Sequence, residues 1–441
     1  MQELKVDQKE LDRRVRYICQ LFKSTEWYVE NRKRLESLNI DIDSIRSPQD
    51  LFKAYEKGLY TTSEDLPKLI PHHPVFGQYF LTSGSTGKPK IVALSPDDRE
   101  RLVRQYTPAW KNFIEEGDIV LTLLPSSPAI SGVTVTESFS KLPVRVFHLS
   151  LCLGKDINTF LEYWKLFKPN ALMGLTTSVY RLPLQLAEKG VEAKQLGIRK
   201  IGVGAESSTV ERRKRIGEEF DAQIYDFYAS SENGLIGYEK VPFSDEHLIT
   251  LPETLVFLAK DGEEVSIDEK GEVVVTNLYK PGENPLLPLV NYRIGDEAKC
   301  IEKGENGIVT SISEIRREAA YLAGAKLDPT EVEKCIEELG ELKGYLTGEY
   351  CVINYSDKER RAIAEIRLEA KRRLPEEEKK PISEKLREKV YSVNIPVKTL
   401  VEEMHDAKLL IEITEPGELY KGYEQYIKPG KPKRLLVLGN V

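Results

Sequence analysis

The sequence predicts an α/β protein: a large N-terminal α/β domain with parallel-rich sheets, followed by a smaller C-terminal α+β domain. Three observations carry that expectation. Between about residues 76 and 290, short apolar runs alternate with helical stretches, the texture of strands buried on both faces of a parallel sheet. Residues 253–310 alternate apolar and polar side chains more plainly, as in Glu272-Val273-Val274-Val275-Thr276, with Gly and Pro punctuation, which reads as antiparallel hairpins. Beyond about Ser313 the texture changes again, to a helix, two strands, a charged helix and a further strand. That set is an α+β domain of about 125 residues, within the usual size range.

Taken in order, residues 7–38 read as helical, with Val15, Ile18, Leu21 and Phe22 on one face at helical spacing. Ser47-Pro48 is a helix start signal for a short helix to Lys57. Strands are expected at Ile119 to Leu124, Val144 to Leu149, Ala171 to Leu175 and Ile198 to Val203. In the C-terminal part a helix is expected from Pro329 to Leu339, then strands near Tyr350 to Tyr355 and Ala362 to Leu368. A helix around 381–393 carries Ile382, Leu386 and Val390 four apart, and a strand follows at Leu409 to Ile413. The boundary between the two domains is placed at 312–318, giving residues 1–314 and 315–441.

Composition excludes several classes. With 40% hydrophobic and 31% charged residues over 441 positions, the chain has the make-up of a water-soluble enzyme. A formal charge of -7 leaves no overall basic footprint for nucleic acid. No apolar run approaches the ~20 residues a membrane span requires, and the polar stretch from Gln2 to Arg14 is unlike a secretory leader, so a cytoplasmic location is expected. Five cysteines, scattered and without C-x-x-C spacing, argue against a disulfide framework and a zinc knuckle. His72 and His73 are neighbours, which on a helix or strand point in different directions and suit metal ligation poorly.

The strongest local signal is Thr82-Ser83-Gly84-Ser85-Thr86-Gly87-Lys88-Pro89-Lys90, directly after Phe80-Leu81. Its glycines let the backbone approach a ligand closely, its hydroxyls and N–H groups offer donors to phosphate oxygens, and its lysines add positive charge. It is not a Walker A loop, because Pro89 stands where Ser or Thr should follow the lysine. A polar hairpin turn is the bland alternative. Three further blocks follow: Gly204-Ala205-Glu206, Asp226-Phe227-Tyr228-Ala229-Ser230-Ser231-Glu232, and Asn291-Tyr292-Arg293-Ile294-Gly295-Asp296. Singly, each has an ordinary structural reading: a strand tyrosine packs in a core, a glutamate is a surface carboxylate, and Gly-Asp is a turn.

In order and spacing these blocks resemble the AMP-forming acyl-CoA synthetase (adenylate-forming) superfamily, and within it the phenylacetate–CoA ligase-like branch. The resemblance implies that residues 82–90 form a phosphate-binding loop, with Thr82, Ser83, Gly84, Ser85, Thr86, Gly87 and Lys88 on the nucleotide. It implies further nucleotide or acyl contacts from Gly204, Ala205, Glu206, Asp226, Phe227, Tyr228 and Ser231. Tyr228 would offer its ring to adenine, Glu232 would ligate Mg²⁺, and Asp296 would accept both ribose hydroxyls. Gly324-Ala325-Lys326-Leu327-Asp328-Pro329-Thr330-Glu331-Val332-Glu333 matches the family's hinge-following block, bringing Lys326 to the site. Upstream, only Glu314-Ile315-Arg316-Arg317-Glu318-Ala319 stands for the usual G-R-x-D-D-M; Arg316 is the expected arginine and Arg317 its rival. In the closing block Pro429-Gly430-Lys431-Pro432-Lys433-Arg434, Lys431 fits the catalytic lysine best and Lys433 second.

The implied architecture is a large domain and a mobile lid. The implied reaction is activation of a carboxylic acid by ATP and Mg²⁺ to acyl-AMP, then transfer to coenzyme A, with an aromatic or small acid favoured over a long fatty acid. Alternatives are transfer to an amine or carrier protein, adenylation of a coenzyme hydroxyl, or a non-catalytic nucleotide-binding protein. No nucleic-acid or membrane partner is expected, and the oligomeric state is left open, a homodimer included.

Overall fold

The computed structural model describes residues 7–70, 76–82, 90–124, 130–149, 153–205, 209–243, 247–304, 306–316, 320–322, 325–356, 362–402, 407–426 and 433–440. The chain divides into two compact units, Met1–Glu206 with Ile216–Ile315, and Ser207–Arg215 with Arg316–Val441. Each mixes helices and strands, giving the α/β class that the sequence predicts.

The first unit opens with helices Gln8–Phe22 and Glu26–Ser37 rather than one helix across 7–38. The break has a local cause. Thr25 Oγ1 donates to the Phe22 carbonyl at 2.7 Å and accepts from the Tyr28 N–H at 3.2 Å, so this hydroxyl ends one helix and caps the next. Val15, Ile18 and Phe22 are buried on the expected face, joined by Leu11 and Cys19. The short helix Pro48–Glu56 starts as expected, with Ser47 accepting from the Asp50 N–H.

One continuous sheet of twelve strands organises this unit. Across it run Glu263–Glu264, Thr254–Lys260, Lys270–Asn277, Tyr292–Lys303, Val309–Arg316, Leu248–Thr250, Gly234–Glu239, Gln223–Ser230, Lys200–Gly204, Ala171–Leu175, Ile119–Thr122 and Arg145–His148. The last five are parallel to one another. Gln223–Ser230 and Gly234–Glu239 are antiparallel, as are Thr254–Lys260 and Lys270–Asn277. The two textures in the sequence are thus two halves of one sheet. Leu172, Ile201, Val203 and Ile224 on the parallel half pack with Phe160, Val179 and Leu186 of the covering helices. A second core gathers Phe257, Val274, Val275 and Tyr292 with Phe52, Trp110 and Phe113. Burial of this kind is the main favourable term in folding.

Helix Pro96–Phe113 packs against strand Gly234–Glu239 of the sheet. Ser95 and Asp98 form a reciprocal capping box and Pro96 occupies the first turn, a combination that fixes where the helix begins.

In the second unit, strands Ala407–Thr414, Ala362–Ala370, Leu346–Ser356 and Leu435–Asn440 form one sheet in that order. Helices Pro329–Glu338 and Glu376–Val393 cover it, with Ile382, Leu386 and Val390 buried. The fourth strand, Leu435–Asn440, pairs parallel with Leu346–Ser356 and adds to the strands expected from the sequence. A small hairpin, Ala320–Leu322 with Ala325–Leu327, also belongs here.

Among the described residues no helix is long and apolar enough to cross a membrane. Cys19, Cys300, Cys335 and Cys351 are buried and unpaired. Burial pushes the thiols of Cys19, Cys335 and Cys351 up to about 12.

Candidate active site

Strand Gln223–Ser230 lies where the sheet changes sense, parallel to Lys200–Gly204 on one side and antiparallel to Gly234–Glu239 on the other. Gly204 and Phe227 are register partners, and a side chain on Gly204 would come within 2.5 Å of the Phe227 carbonyl. Only glycine permits that approach. The next residue, Ala205, has a φ of 62°, a left-handed conformation uncommon for alanine.

Two strands distant in sequence meet at Tyr228 and Asp296. The Tyr228 hydroxyl donates to Asp296 Oδ2 at 2.9 Å. Asp296 is buried and follows Gly295, whose φ of 87° lets the strand turn the carboxylate inward. An ionised carboxylate is a two-oxygen acceptor.

Glu232 sits in the turn that leaves Ser230. Lys90 Nζ donates to Glu232 Oε1 at 3.1 Å and the Tyr292 hydroxyl donates to the same oxygen at 3.0 Å. Among the described residues both hydrogen bonds fall on Oε1. Lys90 is the last residue of the Thr82 to Lys90 run. It pairs with Thr82 across an antiparallel hairpin, so the two ends of the 83–89 segment are brought together. Helix Pro96–Phe113 holds the turn from behind. Arg101 Nη2 donates to the Asn233 carbonyl at 2.7 Å, and Gln105 Nε2 donates to the Leu235 carbonyl. Gly234 has a φ of 88° and is pressed against Leu102 and Gln105.

A cavity of about 70 Å³ adjoins Glu232, lined by Ala205, Ser231, Arg101, Tyr106, Thr134 and Tyr279 among others. Burial pushes the Tyr106 hydroxyl up to about 12 and the Tyr279 hydroxyl well above its ordinary value. Burial also raises the Asp98 carboxyl on the same wall, opposed by its hydrogen bonds from Tyr279 at 2.6 Å and from the Leu286 N–H. Arg101 stacks over the Tyr279 ring, 5.3 Å from its centroid.

The structure therefore brings Tyr228, Ser231, Glu232 and Asp296 into one unit with Gly204 and Ala205. Phe227 instead packs into the core, edge-on to Trp110 and Phe113. The Asp226 N–H donates to Glu239 Oε2 at 3.0 Å. Thr82 closes the strand Gln78–Thr82. Arg316 ends the strand Val309–Arg316 and Lys326 lies in Ala325–Leu327, with backbone alone described at both. Ser83 to Lys88, Glu206, Arg317 and Lys431 lie outside the described residues. Sequence reasoning gave Lys90 only a general positive charge and Tyr292 no role, and it foresaw the partner of neither. Both stand inside the quoted motifs, and their shared target, Glu232, is 142 and 60 residues away.

A Mg²⁺ carried on a nucleotide fits this donor set. Hard cations of this size take one or two carboxylates plus phosphate oxygens rather than a full protein cage. Glu232 would supply one carboxylate oxygen, and among the described residues no cluster of three or more acidic, His or Cys ligands is formed.

The solved structure of 2-hydroxyisobutyryl-CoA ligase in the postadenylation state, in complex with 2-HIB-AMP, matches with a TM-score of 0.77 at 14% identity, over 98% of this chain and 89% of that one. The same ligase with 2-HIB-AMP and CoA in the thioesterification state matches with a TM-score of 0.61, again at 14% identity, over 98% and 90% of the two chains. A variant of the amide bond synthetase Mcba from Marinactinospora thermotolerans gives 0.53 at 15% identity, over 79% and 69%. At such identities the likeness is one of fold. No curated protein matches the chain in sequence. The family described as AMP-binding enzyme matches residues 12–278, more than half of the 441 residues and including the phosphate-loop run, Tyr228 and Glu232. This chain belongs to the AMP-binding enzyme family.

Proposed function

We propose that the chain activates a carboxylic acid with ATP, releasing pyrophosphate and forming an acyl-AMP, and then passes the acyl group to coenzyme A. The observation that carries this reading is the convergence of two motif-derived pairs, Tyr228–Asp296 and Lys90–Glu232, in one unit. Asp296 would take the ribose hydroxyls, Tyr228 would flank the base, and the 82–90 run would take the phosphates. Glu232 would hold Mg²⁺, which would supply charge neutralisation on the phosphates. Lys90 would add a second positive charge beside them, the kind of fixed charge that stabilises phosphoryl-type transition states. The acid's own carboxylate is the nucleophile, so no side-chain nucleophile is needed.

The finer assignments follow the same resemblance. Residues 1–314 would form the catalytic domain and 315–441 a mobile lid, with Arg316 at the hinge and Lys326 and Lys431 delivered to the site. Resemblance to the phenylacetate–CoA ligase-like branch favours an aromatic or small acid over a long fatty acid. A cytoplasmic setting supplies ATP and coenzyme A. The test is ATP–pyrophosphate exchange across a panel of carboxylic acids, followed by thioester formation on adding coenzyme A. Acid-dependent exchange supports activation. ATP binding without exchange for any acid would instead mark a nucleotide-binding protein.

A further inference from the structure

Asn291 stands immediately before Tyr292, whose hydroxyl donates to Glu232 Oε1 at 3.0 Å. It is wholly buried, and its φ of 45° is a left-handed conformation. Asparagine reaches that region more readily than most residues, because its short amide can hydrogen-bond locally.

Every polar group of this residue is engaged. Nδ2 donates to the Leu51 carbonyl at 2.9 Å and to the Leu59 carbonyl at 3.1 Å. Its N–H donates to Thr276 Oγ1 at 2.9 Å, and its carbonyl accepts from the Thr61 N–H at 3.2 Å. Oδ1 accepts from Thr276 Oγ1 at 3.4 Å. A buried polar network satisfied this fully rigidifies the groups it joins.

The bonds reach elements far apart in sequence. Leu51 lies in helix Pro48–Glu56 and Leu59 just after it, while Thr276 belongs to strand Lys270–Asn277. Tyr292 itself pairs with Val275 and is bridged to Thr61. Its backbone is thus clamped from two sides, and the torsions of Asn291 set how the chain enters strand Tyr292–Lys303. A shift at that entry would swing the Tyr292 hydroxyl away from Glu232.

We propose that Asn291 is a positioning residue: it aims Tyr292, which in turn fixes Glu232 for the Mg²⁺ carried by ATP. The role rests on the reading above in which Glu232 holds that ion, and the experiment separates the two.

ATP is titrated calorimetrically into the full chain across a series of Mg²⁺ concentrations and in EDTA, with no acid present. Pyrophosphate exchange with the acid panel runs beside it. Asn291→Gly keeps the positive φ and removes the amide. It should raise the Mg²⁺ concentration for half the effect by about two- to tenfold, the scale of one hydrogen bond, and no further than Tyr292→Phe does. Asn291→Asp has nearly the same shape but turns a carboxylate oxygen on the two carbonyls, so it should shift the value at least as far as Asn291→Gly. A residue that only supported the fold would lower the urea midpoint and leave the Mg²⁺ dependence alone. In the double variant of Asn291→Gly with Tyr292→Phe, the Mg²⁺ shift should equal that of Tyr292→Phe alone, because one acts through the other. Where Asn291→Gly does not fold, Thr276→Val loosens the same residue from the neighbouring strand and gives the test in milder form.

Wild-type Mg²⁺ dependence in a folded Asn291→Gly or Asn291→Asp overturns the positioning role, and so do shifts that add in the double variant. Both results leave acid activation standing. A wild-type chain that binds ATP equally well with Mg²⁺ and in EDTA removes the ion from Glu232 and overturns the positioning role with it. Absence of exchange with every acid, beside Mg²⁺-dependent ATP binding, overturns acid activation alone.

Discussion

The Tyr228 hydroxyl and Asp296 Oδ2, 68 residues apart in sequence, are held 2.9 Å apart across the first unit. The bond orients the carboxylate before any nucleotide arrives, and preorganisation of that sort lowers the cost of binding. Asp296→Ala should weaken ATP at least roughly tenfold, since a hydrogen bond to a charged group contributes about 1.5–3 kcal/mol. Tyr228→Phe should weaken it less, and the double variant no more than Asp296→Ala alone, because the two side chains act together. Calorimetric titration of the three variants checks this; an unaltered dissociation constant for Asp296→Ala would sink the ribose assignment.

Glu232→Gln keeps the shape of the turn and removes the charge that Lys90 and Tyr292 hold in place. Pyrophosphate exchange should fall by about 10²–10³, the usual cost of one electrostatic contact in a transition state. The magnesium concentration for half-maximal exchange should rise. Tyr292→Phe, which loosens only one oxygen, should produce the same shift in weaker form. A variant with normal exchange at low magnesium would remove Glu232 from the metal site.

Lys431 is expected to serve adenylation alone. Lys431→Ala should lose about 10²–10³ in acyl-AMP formation while still converting synthetic acyl-adenylate and coenzyme A to thioester at near the wild-type rate. A loss merely of stability would slow both steps. If Lys433→Ala shows the asymmetry instead, the closing block is read two residues out of register.

Gly234 supplies a positive φ and is crowded by Leu102 and Gln105. Gly234→Ala should lower stability by about 1–3 kcal/mol, through backbone strain and overpacking, and displace Glu232 with it. Urea unfolding and the magnesium dependence of exchange should therefore shift together. A fully stable variant with altered magnesium dependence would contradict the mechanism.

His148 carries a pH dependence of definite sign. Burial depresses its pKa below the ordinary value, since the folded chain disfavours the charged ring. As pH falls below about 6.5 the unfolded chain takes up the proton first, so stability present above that pH is lost on acidification. Between pH 7.5 and 5.5 the urea midpoint of the wild type should fall more than that of His148→Gln. Parallel curves would show that His148 does not contribute.

Much of the site is legible in the sequence because its chemistry is local. Gly204, Tyr228, Glu232 and Asp296 each stand in a short run whose residue types match a task, and the runs occur in order. Pairing at a distance is what the sequence withholds. Nothing in either motif says that Lys90 reaches Glu232, because that contact depends on the register of strands set far apart. Elements are legible where one periodicity governs, as in Ala171–Leu175 or Pro48–Glu56. The break at Thr25 is not, since a single hydroxyl overrides a helical pattern continuing on both sides. Leu435–Asn440 escapes notice because it comes directly after the basic closing block, whose charge masks the start of a strand.

The separation of the site residues along the chain has a kinetic consequence. Lys90, Glu232 and Tyr292 converge through strands that pair only after long loops have closed, and such non-local pairings form late and slowly. Partly folded chains, including a nascent chain that has not yet emerged as far as Tyr292, would therefore lack the complete grip. A nucleotide that binds only the assembled sheet raises its apparent stability by mass action. Millimolar nucleotide would then act as a folding ligand for this unit, protecting it from heat and proteases before any acid is encountered.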